Sequence, residues 1–401
     1  MLVNENITAH AWGNGKWVLH TGAERNILLN EKSFELYRIL QETETYENAL
    51  IRFNTMYMWS LNMEDFKTHI ATVFGGYGLL KDDFKVERPD MKNQYLKLKI
   101  QLINPEWASI LAKPVSWLYT PKYFWKAGLL CVLFIACMAF LDPATTSSIE
   151  VSGLGSIAVL FYFTMLVHEV GHIAACQNSG VKHGGIGFGF YFIMPVMYAD
   201  ISNIWLANKE RRVIANLGGI FNELIYSSIL LIIFWFTRDM RLYLVAITIA
   251  IFVIFELNPF VRFDGYWVLS DLSNTPNLRL KSKKVLLKTL KEFGKRRGLV
   301  RQEVGLFIYG FINSVFLFLF MGAIFINYRI EIIEFPETVY YFIQKALGGN
   351  WDEGTLNRKF LLILTFYILL GRKIYGYVKK KSGVLFIGAG KTKTGEIRPL
   401  L

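Results

Sequence analysis

The feature that most constrains the fold of this chain is an apolar run at residues 154–176, LGSIAVLFYFTMLVHEVGHIAAC. A helix needs about 20 predominantly apolar residues to cross a bilayer, and this run is long enough. It holds one group of acidic and basic side chains, at His168, Glu169 and His172. Because such side chains are costly at membrane depth, the group predicts a functional site.

The spacing of the HEVGH motif at residues 168–172 predicts a metal site. Residues four apart on a helix lie about 40° from each other around its axis, so His168 and His172 can bind one ion. Glu169 lies about 100° from His168 and can reach a metal-bound water without being a ligand. Two His ligands and a Glu general base on one helix are typical of zinc hydrolases. The motif also arises by chance on solvated helix faces, but its neighbours here are apolar.

The composition favours a membrane protein. The chain is 53% hydrophobic, and its net charge is +12. Its Lys and Arg residues lie beside the apolar runs, which fits anionic lipid headgroups better than nucleic acid. We therefore expect a lipid bilayer as a partner and no nucleic acid. The cysteines, Cys131, Cys137 and Cys176, fall inside apolar runs and predict no disulfide framework.

Six apolar runs after residue 123 predict a polytopic membrane domain. The predicted spans lie near residues 124–141, 154–176, 213–236, 242–260, 304–327 and 360–378. The predicted fold class is mainly α: a polytopic α-helical membrane protein with about six spans, plus a small winged-helix-like (α+β) cytosolic N-terminal domain. The chain divides into that domain, an interfacial linker, a membrane domain that holds the HEVGH motif and a basic cytosolic tail, at residues 1–90, 91–123, 124–378 and 379–401.

Loop charges predict the orientation, because cytosolic loops carry an excess of Lys and Arg. Residues 262–303 hold 11 Lys and Arg against 4 Asp and Glu, and residues 177–212 are also basic. Residues 142–153 have no Lys or Arg, and residues 328–359 are expected to form a second outward loop. Residues 1–20 lack the apolar core of a signal peptide. We therefore expect an integral protein of the bacterial cell membrane with both termini cytosolic.

The N-terminal residues predict a small α+β domain. Ile7 to Leu19 alternates around a Gly-containing turn, which indicates a hairpin, and three helical patterns follow from Asn30 to Phe74. This arrangement resembles the PqqD-like domains that hold precursor peptides for modifying enzymes. The resemblance implies that a leader peptide binds at a strand edge. A structural cap without a bound peptide is the alternative.

A two-His zinc site needs a third protein ligand and an open position. The fourth predicted span ends in ELNPFVRFDG, residues 256–265. The predicted topology places this end on the cytosolic side, as it does the motif, so Asp264 can lie at the depth of His168 and His172. Pro259 would disturb the helix there and allow the backbone to bring Asp264 inward. A solvated Asp at an ordinary helix end is the alternative.

HEVGH and NPFVRFDG together resemble the motifs of the site-2-protease family of intramembrane zinc metalloproteases. The resemblance implies that His168, His172 and Asp264 bind Zn²⁺ and that Glu169 is the base that activates water. The segment LGGIFN, ending at Asn222, is similar to a Gly-rich helix motif of that family. The resemblance thus makes Asn222 a candidate for substrate positioning.

One residue and two further segments also bear on the site and on the family. Asn258 could contact the substrate backbone, orient the Asp ligand or simply pack at a kinked helix end. Residues 185–195 resemble the membrane-associated β-hairpin that presents substrate in the family. The residues that follow the Asp, DGYW with LSD and PNL, resemble the peptide zinc metalloprotease subgroup, whose members often carry a PqqD-like N-terminal domain.

The predicted function is therefore that of a zinc metalloendopeptidase. Its substrate would be a membrane protein, or a membrane-associated or ribosomally made precursor peptide undergoing maturation or export. Two alternatives stay open: a membrane metal or peptide transporter, and a catalytically silent relative that presents peptides through residues 20–85. Two His and one carboxylate favour zinc, although iron(II) can use the same ligands. A histidine-box desaturase is excluded, because only two of the 6 His form a pair.

Overall fold

A computed structural model describes most of the chain. The described residues are 2–13, 15–21, 25–82, 96–141, 154–191, 194–291 and 301–347, with single positions between 363 and 375. Contacts divide the chain into two units, Met1–Asn277 and Leu278–Leu401, and each is described by itself. The described part is mainly helical, as predicted from the sequence.

The N-terminal residues form the small sheet and three helices that the sequence predicts. Three antiparallel strands in the order β1-β2-β3 precede three helices: β1 (Ile7–Gly13), β2 (Lys16–Thr21), β3 (Arg25–Asn30), α1 (Glu31–Glu42), α2 (Tyr46–Tyr57) and α3 (Met63–Phe74). Asn30, Thr45 and Asn62 cap the helices, each side chain accepting a backbone N–H three residues on. Leu36, Phe66 and other buried apolar side chains form one core between the sheet and the helices.

The described part of the predicted linker 91–123 forms regular structure. It contains β4 (Leu96–Ile103), α4 (Pro105–Ser116) and a 3₁₀ turn, Trp117–Tyr119. Asn104 caps α4, with Pro105 in the first turn, and the buried Ala108 and Ala112 of α4 belong to the same apolar cluster as Ile173. Strand β4 pairs with a hairpin further along the chain, β5 (Ile186–Tyr191) and β6 (Met194–Ala199), in the order β4-β5-β6. The hairpin expected at residues 185–195 is therefore present.

Long apolar helices make up the centre of the first unit. They are α5 (Pro121–Leu141), α6 (Leu154–Asn178), α8 (Gly218–Thr237) and α9 (Met240–Glu256), with α7 (Lys209–Asn216) and α10 (Asp264–Leu272) between and after them. Among the described residues, four helices are long and apolar enough to cross a membrane: α5, α6, α8 and, in the second unit, α12 (Arg301–Asn327). These four support a membrane protein. At 17 residues α9 is short for a span, and most of the run predicted at 360–378 lies outside the described residues.

The second unit contains α11 (Leu278–Lys291), α12 (Arg301–Asn327) and α13 (Arg329–Leu347). The expectation of a loop at 328–359 is wrong for residues up to 347. Ile332 and Phe335 of α13 are buried in a cluster with Ile324 of α12, and that burial stabilises a helix there. The sequence interpretation considered the weakly acidic charge of this segment and did not consider the spacing of its apolar residues.

Candidate metal centre

Helices α6 and α8 pack unusually closely where the motif lies. A Cβ on Gly171 of α6 would lie 2.1 Å from the backbone oxygen of Gly218 on α8. A Cβ on Gly219 would lie 2.3 Å from Nε2 of His168. Gly219 therefore leaves the space in which the His168 ring lies, and Gly218 lets the backbones of α6 and α8 approach each other.

The backbone after α9 brings Asp264 back to α6. Helix α9 ends at Glu256, and α10 begins at Asp264 itself. The turn between them is tight, because a Cβ on Gly265 would lie 2.1 Å from the backbone oxygen of Leu257. Oδ1 of Asn258 accepts the backbone N–H of Phe260 at 2.9 Å inside this turn. Asp264 thereby lies beside the motif, although it is distant in sequence.

Three ligand atoms converge at this point. Nε2 of His168 lies 3.1 Å from Nε2 of His172, and Oδ2 of Asp264 lies 3.2 Å and 3.3 Å from these two nitrogens. Ligands about 2.0–2.1 Å from a tetrahedral zinc ion are about 3.3–3.4 Å apart, so the triangle has the dimensions of one face of such a site. The structure therefore brings together the three residues that the sequence predicts as metal ligands.

The groups that face Nδ1 of each ring determine which ring nitrogen carries the proton. Nδ1 of His172 lies 2.8 Å from the backbone oxygen of Ala215, which can only accept, so this nitrogen carries the proton. Nε2 of neutral His172 then offers a lone pair to the triangle. Nδ1 of His168 faces carboxylates, which favours the same tautomer. Three converging lone pairs need positive charge between them, and a divalent metal ion supplies it.

Asp264 would supply the anionic ligand of this set, because a carboxylate binds a metal ion in its deprotonated form.

Two carboxylates that the sequence analysis did not assign lie behind His168. Oε1 of Glu223 on α8 is 3.1 Å from Nδ1 of His168, and Oε2 of Glu256 at the end of α9 is 3.6 Å from it. Metal-binding His residues usually donate their second ring N–H to such a partner, which fixes the ring orientation. The available signal was a Glu inside each of two otherwise apolar runs, because such residues are costly there.

Glu169 lines the same cavity of about 500 Å³ as the three ligands. Ala199 of β6 lines this cavity too, and its backbone lies near the Glu169 carboxylate. Much of the remaining lining is apolar or aromatic: Met165, Val196, Met197, Ile201, Ile204, Trp205, Phe263 and Trp267. The cavity can therefore hold an apolar chain beside a carboxylate and a metal ion.

The two Asn residues have partners within the fold. Nδ2 of Asn222 donates to the backbone oxygen of Val167 at 2.9 Å, and its Oδ1 accepts from the Tyr119 hydroxyl at 2.7 Å. Asn258 bonds within its own turn, as described above. Neither lines the cavity, and a substrate-positioning role for either stays a prediction. Cys176 is fully buried in an apolar cluster.

Taken together, the fold and the site define a helical membrane protein with a buried His-His-Asp centre suited to a divalent metal and an adjacent Glu. A comparison with curated proteins finds 26% identity over 192 residues to "Putative peptide zinc metalloprotease protein YydH" of Bacillus subtilis (strain 168), covering 44% of this chain and 73% of that protein. No protein-family model matches, and no solved structure matches. The similarity supports the resemblance to peptide zinc metalloproteases.

Proposed function

We propose that this chain is an intramembrane zinc metalloendopeptidase. The observation that carries the proposal is the triangle of His168, His172 and Asp264 ligand atoms, 3.1–3.3 Å apart, with Glu169 lining the same cavity. The similarity to a protein named as a peptide zinc metalloprotease supports the same reaction class.

The residues divide the work of peptide-bond hydrolysis. His168, His172 and Asp264 would hold Zn²⁺, which when bound polarises the scissile carbonyl and makes water more acidic. Glu169 takes the proton of the attacking water and passes it to the leaving amine. The apolar lining limits the access of competing water and strengthens these charge interactions.

We propose that the substrate is an extended apolar peptide segment. Strand β6 is an edge of its sheet, and four of its residues line the cavity. An extended segment can pair with such an edge while its side chains enter an apolar pocket. A membrane-associated or ribosomally made precursor peptide offers such a segment, and this part of the proposal places the chain in peptide maturation or export.

The N-terminal domain and the cellular location complete the proposal. The domain would bind the leader of a precursor peptide, as its resemblance to PqqD-like domains implies. The four apolar helices support an integral membrane protein. A bacterial cell membrane with both termini cytosolic is the orientation that the loop charges favour.

The test is cleavage by detergent-purified protein of a synthetic peptide library rich in apolar segments, with products read by mass spectrometry. Wild type is expected to cleave, and Glu169→Gln is expected to lose about 10²–10⁴ of the rate, since general-base catalysis contributes that much. Glu169→Gln should still bind zinc, because Glu169 is not a ligand. Equal rates for the two proteins would contradict the protease and favour a transporter or a peptide-presenting relative.

A further inference from the structure

Arg212 is the largest fully buried side chain of the described residues, and it is charged. Only 1% of it is exposed, although the sequence analysis places it in a basic cytosolic loop. A buried charge is tolerated only when it is paired and hydrogen-bonded. Nε of Arg212 donates to Oδ1 of Asp271 at 2.8 Å, and Nη1 donates to the backbone oxygen of Ala207 at 2.9 Å. Nδ2 of Asn216 donates to the other oxygen of Asp271 at 2.7 Å.

These bonds join the two short helices that support the metal centre. Arg212 and Asn216 lie on α7, and Asp271 lies on α10. The same α7 provides the backbone oxygen that holds Nδ1 of His172, and the same α10 begins with the ligand Asp264. The bonds of Asp271 with Arg212 and Asn216, which we call the α7–α10 clamp, therefore set how close two parts of the ligand set lie.

The N-terminal domain covers the clamp. The Trp12 ring of β1 lies 4.1 Å from the guanidinium carbon of Arg212 and stacks on Trp205 with ring centroids 5.7 Å apart. Trp205 lines the cavity. Nζ of Lys16 on β2 donates to the backbone oxygen of Asn274 at 3.1 Å, just after α10. Because Trp12 is 4% exposed, its ring is enclosed between the N-terminal sheet and the helical part of the same unit.

We propose that Arg212 and Trp12 are positioning residues of the metal centre, and that the N-terminal domain completes that centre through Trp12. Arg212 fixes α7 against α10, and the Trp12 ring shields its guanidinium from water and restricts its movement. The inference rests on the metal centre of the proposed function, but it does not depend on the substrate or on peptide cleavage.

Removal of the Trp12 ring is expected to weaken zinc binding. Without Trp12, water reaches the guanidinium and the clamp loosens, so Asp264 and His172 are held less firmly. Outer-shell partners of metal ligands typically contribute about 10–100-fold in metal affinity. We expect the effect of Trp12→Ala to lie near the lower end of this range. Its zinc affinity should fall about tenfold, and its zinc should transfer to a chelator about tenfold faster. Trp12→Phe keeps an aromatic face and should stay close to wild type.

Trp59→Ala is the matched control. Trp59 belongs to the same domain, and its ring contacts are with Phe53 and Tyr57, away from the clamp. The experiment measures zinc affinity and the rate of zinc transfer to a chelator for full-length wild type, Trp12→Ala, Trp12→Phe and Trp59→Ala, with folding checked by circular dichroism.

Weaker zinc binding in Trp12→Ala alone supports the inference. Wild-type zinc binding in folded Trp12→Ala, or an equal loss in Trp59→Ala, overturns it and leaves the proposed function standing. A wild type that binds no zinc overturns both.

Discussion

His168 and His172 offer the same atom to the metal centre, yet different groups hold their rings. Nδ1 of His168 faces the side chains of Glu223 and Glu256, whereas Nδ1 of His172 bonds to the backbone oxygen of Ala215. A side-chain carboxylate can be removed by one substitution, but a backbone oxygen cannot. The groups that face Nδ1 of His168 can therefore be removed directly by substitution. The group that holds His172 can be changed only by moving the backbone of α7.

The largest effect on this comparison is expected from Gly219→Ala. The new Cβ would lie 2.3 Å from Nε2 of His168, so the ring must turn away from the ligand triangle. Because the ring is a side chain and can move, we expect the fold to survive while the dissociation constant for zinc rises at least about 100-fold. Zinc titration and thermal unfolding measure the two quantities.

Gly171→Ala is the matched substitution against backbone. Its Cβ would lie 2.1 Å from the oxygen of Gly218, which cannot move without shifting α8. We expect a loss of stability of at least about 3 kcal/mol, the upper end for overpacking, together with the loss of zinc. If Gly219→Ala binds zinc with the affinity of wild type, the present position of the His168 ring is not required for zinc binding.

The next largest effect is expected from Glu223→Leu. Leu removes the carboxylate that lies nearest to Nδ1 of His168, so the ring is held less firmly in its orientation. We expect zinc affinity to fall by about 10–100-fold, measured by competition with a chromogenic chelator. Glu223→Gln keeps an acceptor oxygen and should recover part of the loss. If Leu and wild type bind zinc equally, Glu223 does not orient His168.

Glu256→Leu should have a smaller effect than Glu223→Leu. Its carboxylate lies 3.6 Å from Nδ1 of His168 rather than 3.1 Å, and its side chain is 27% exposed against 6% for Glu223. We expect less than about a tenfold change in zinc affinity in the same competition assay. The reverse ranking of the two variants would make Glu256 the main partner of His168.

The smallest effect is expected from Tyr119→Phe, which keeps the ring and removes a hydroxyl bonded to Asn222 and to the backbone of Gly218. The loss of one buried hydrogen bond should cost about 1 kcal/mol of stability. Because the aromatic partners of the Tyr119 ring are Phe124 and Phe221, zinc affinity should not change. A clear fall in zinc affinity would mean that Tyr119 helps to position His168 or His172 through its bond to Asn222.

The sequence could single out the candidate ligands because ionisable side chains are conspicuous in apolar runs. A His pair four residues apart and an Asp after NPFVRF are visible in an apolar background, and the structure brings them together. Strand β4 could also have been predicted, since its first seven residues, LKLKIQL, alternate between apolar and polar, but its lysines and the nearby aromatics suggested an interfacial linker.

Other features needed the structure. An almost uniformly apolar helix has no polar face that shows which side packs inward, so the contact of Glu223 with His168 could not be derived from α8 alone. The burial of Arg212 depends on Asp271 and on Trp12, which lie far away in the chain. Long-range pairings of this kind leave no local periodicity in the sequence.

The most direct test of the central claim is the zinc content of detergent-purified protein, wild type beside Asp264→Ala, measured by mass spectrometry. The account predicts about one zinc ion per wild-type chain, as a single catalytic site requires, and its loss in Asp264→Ala. If the purified wild-type protein contains no zinc, or if Asp264→Ala retains all of it, the result contradicts a centre built from α6 and α10.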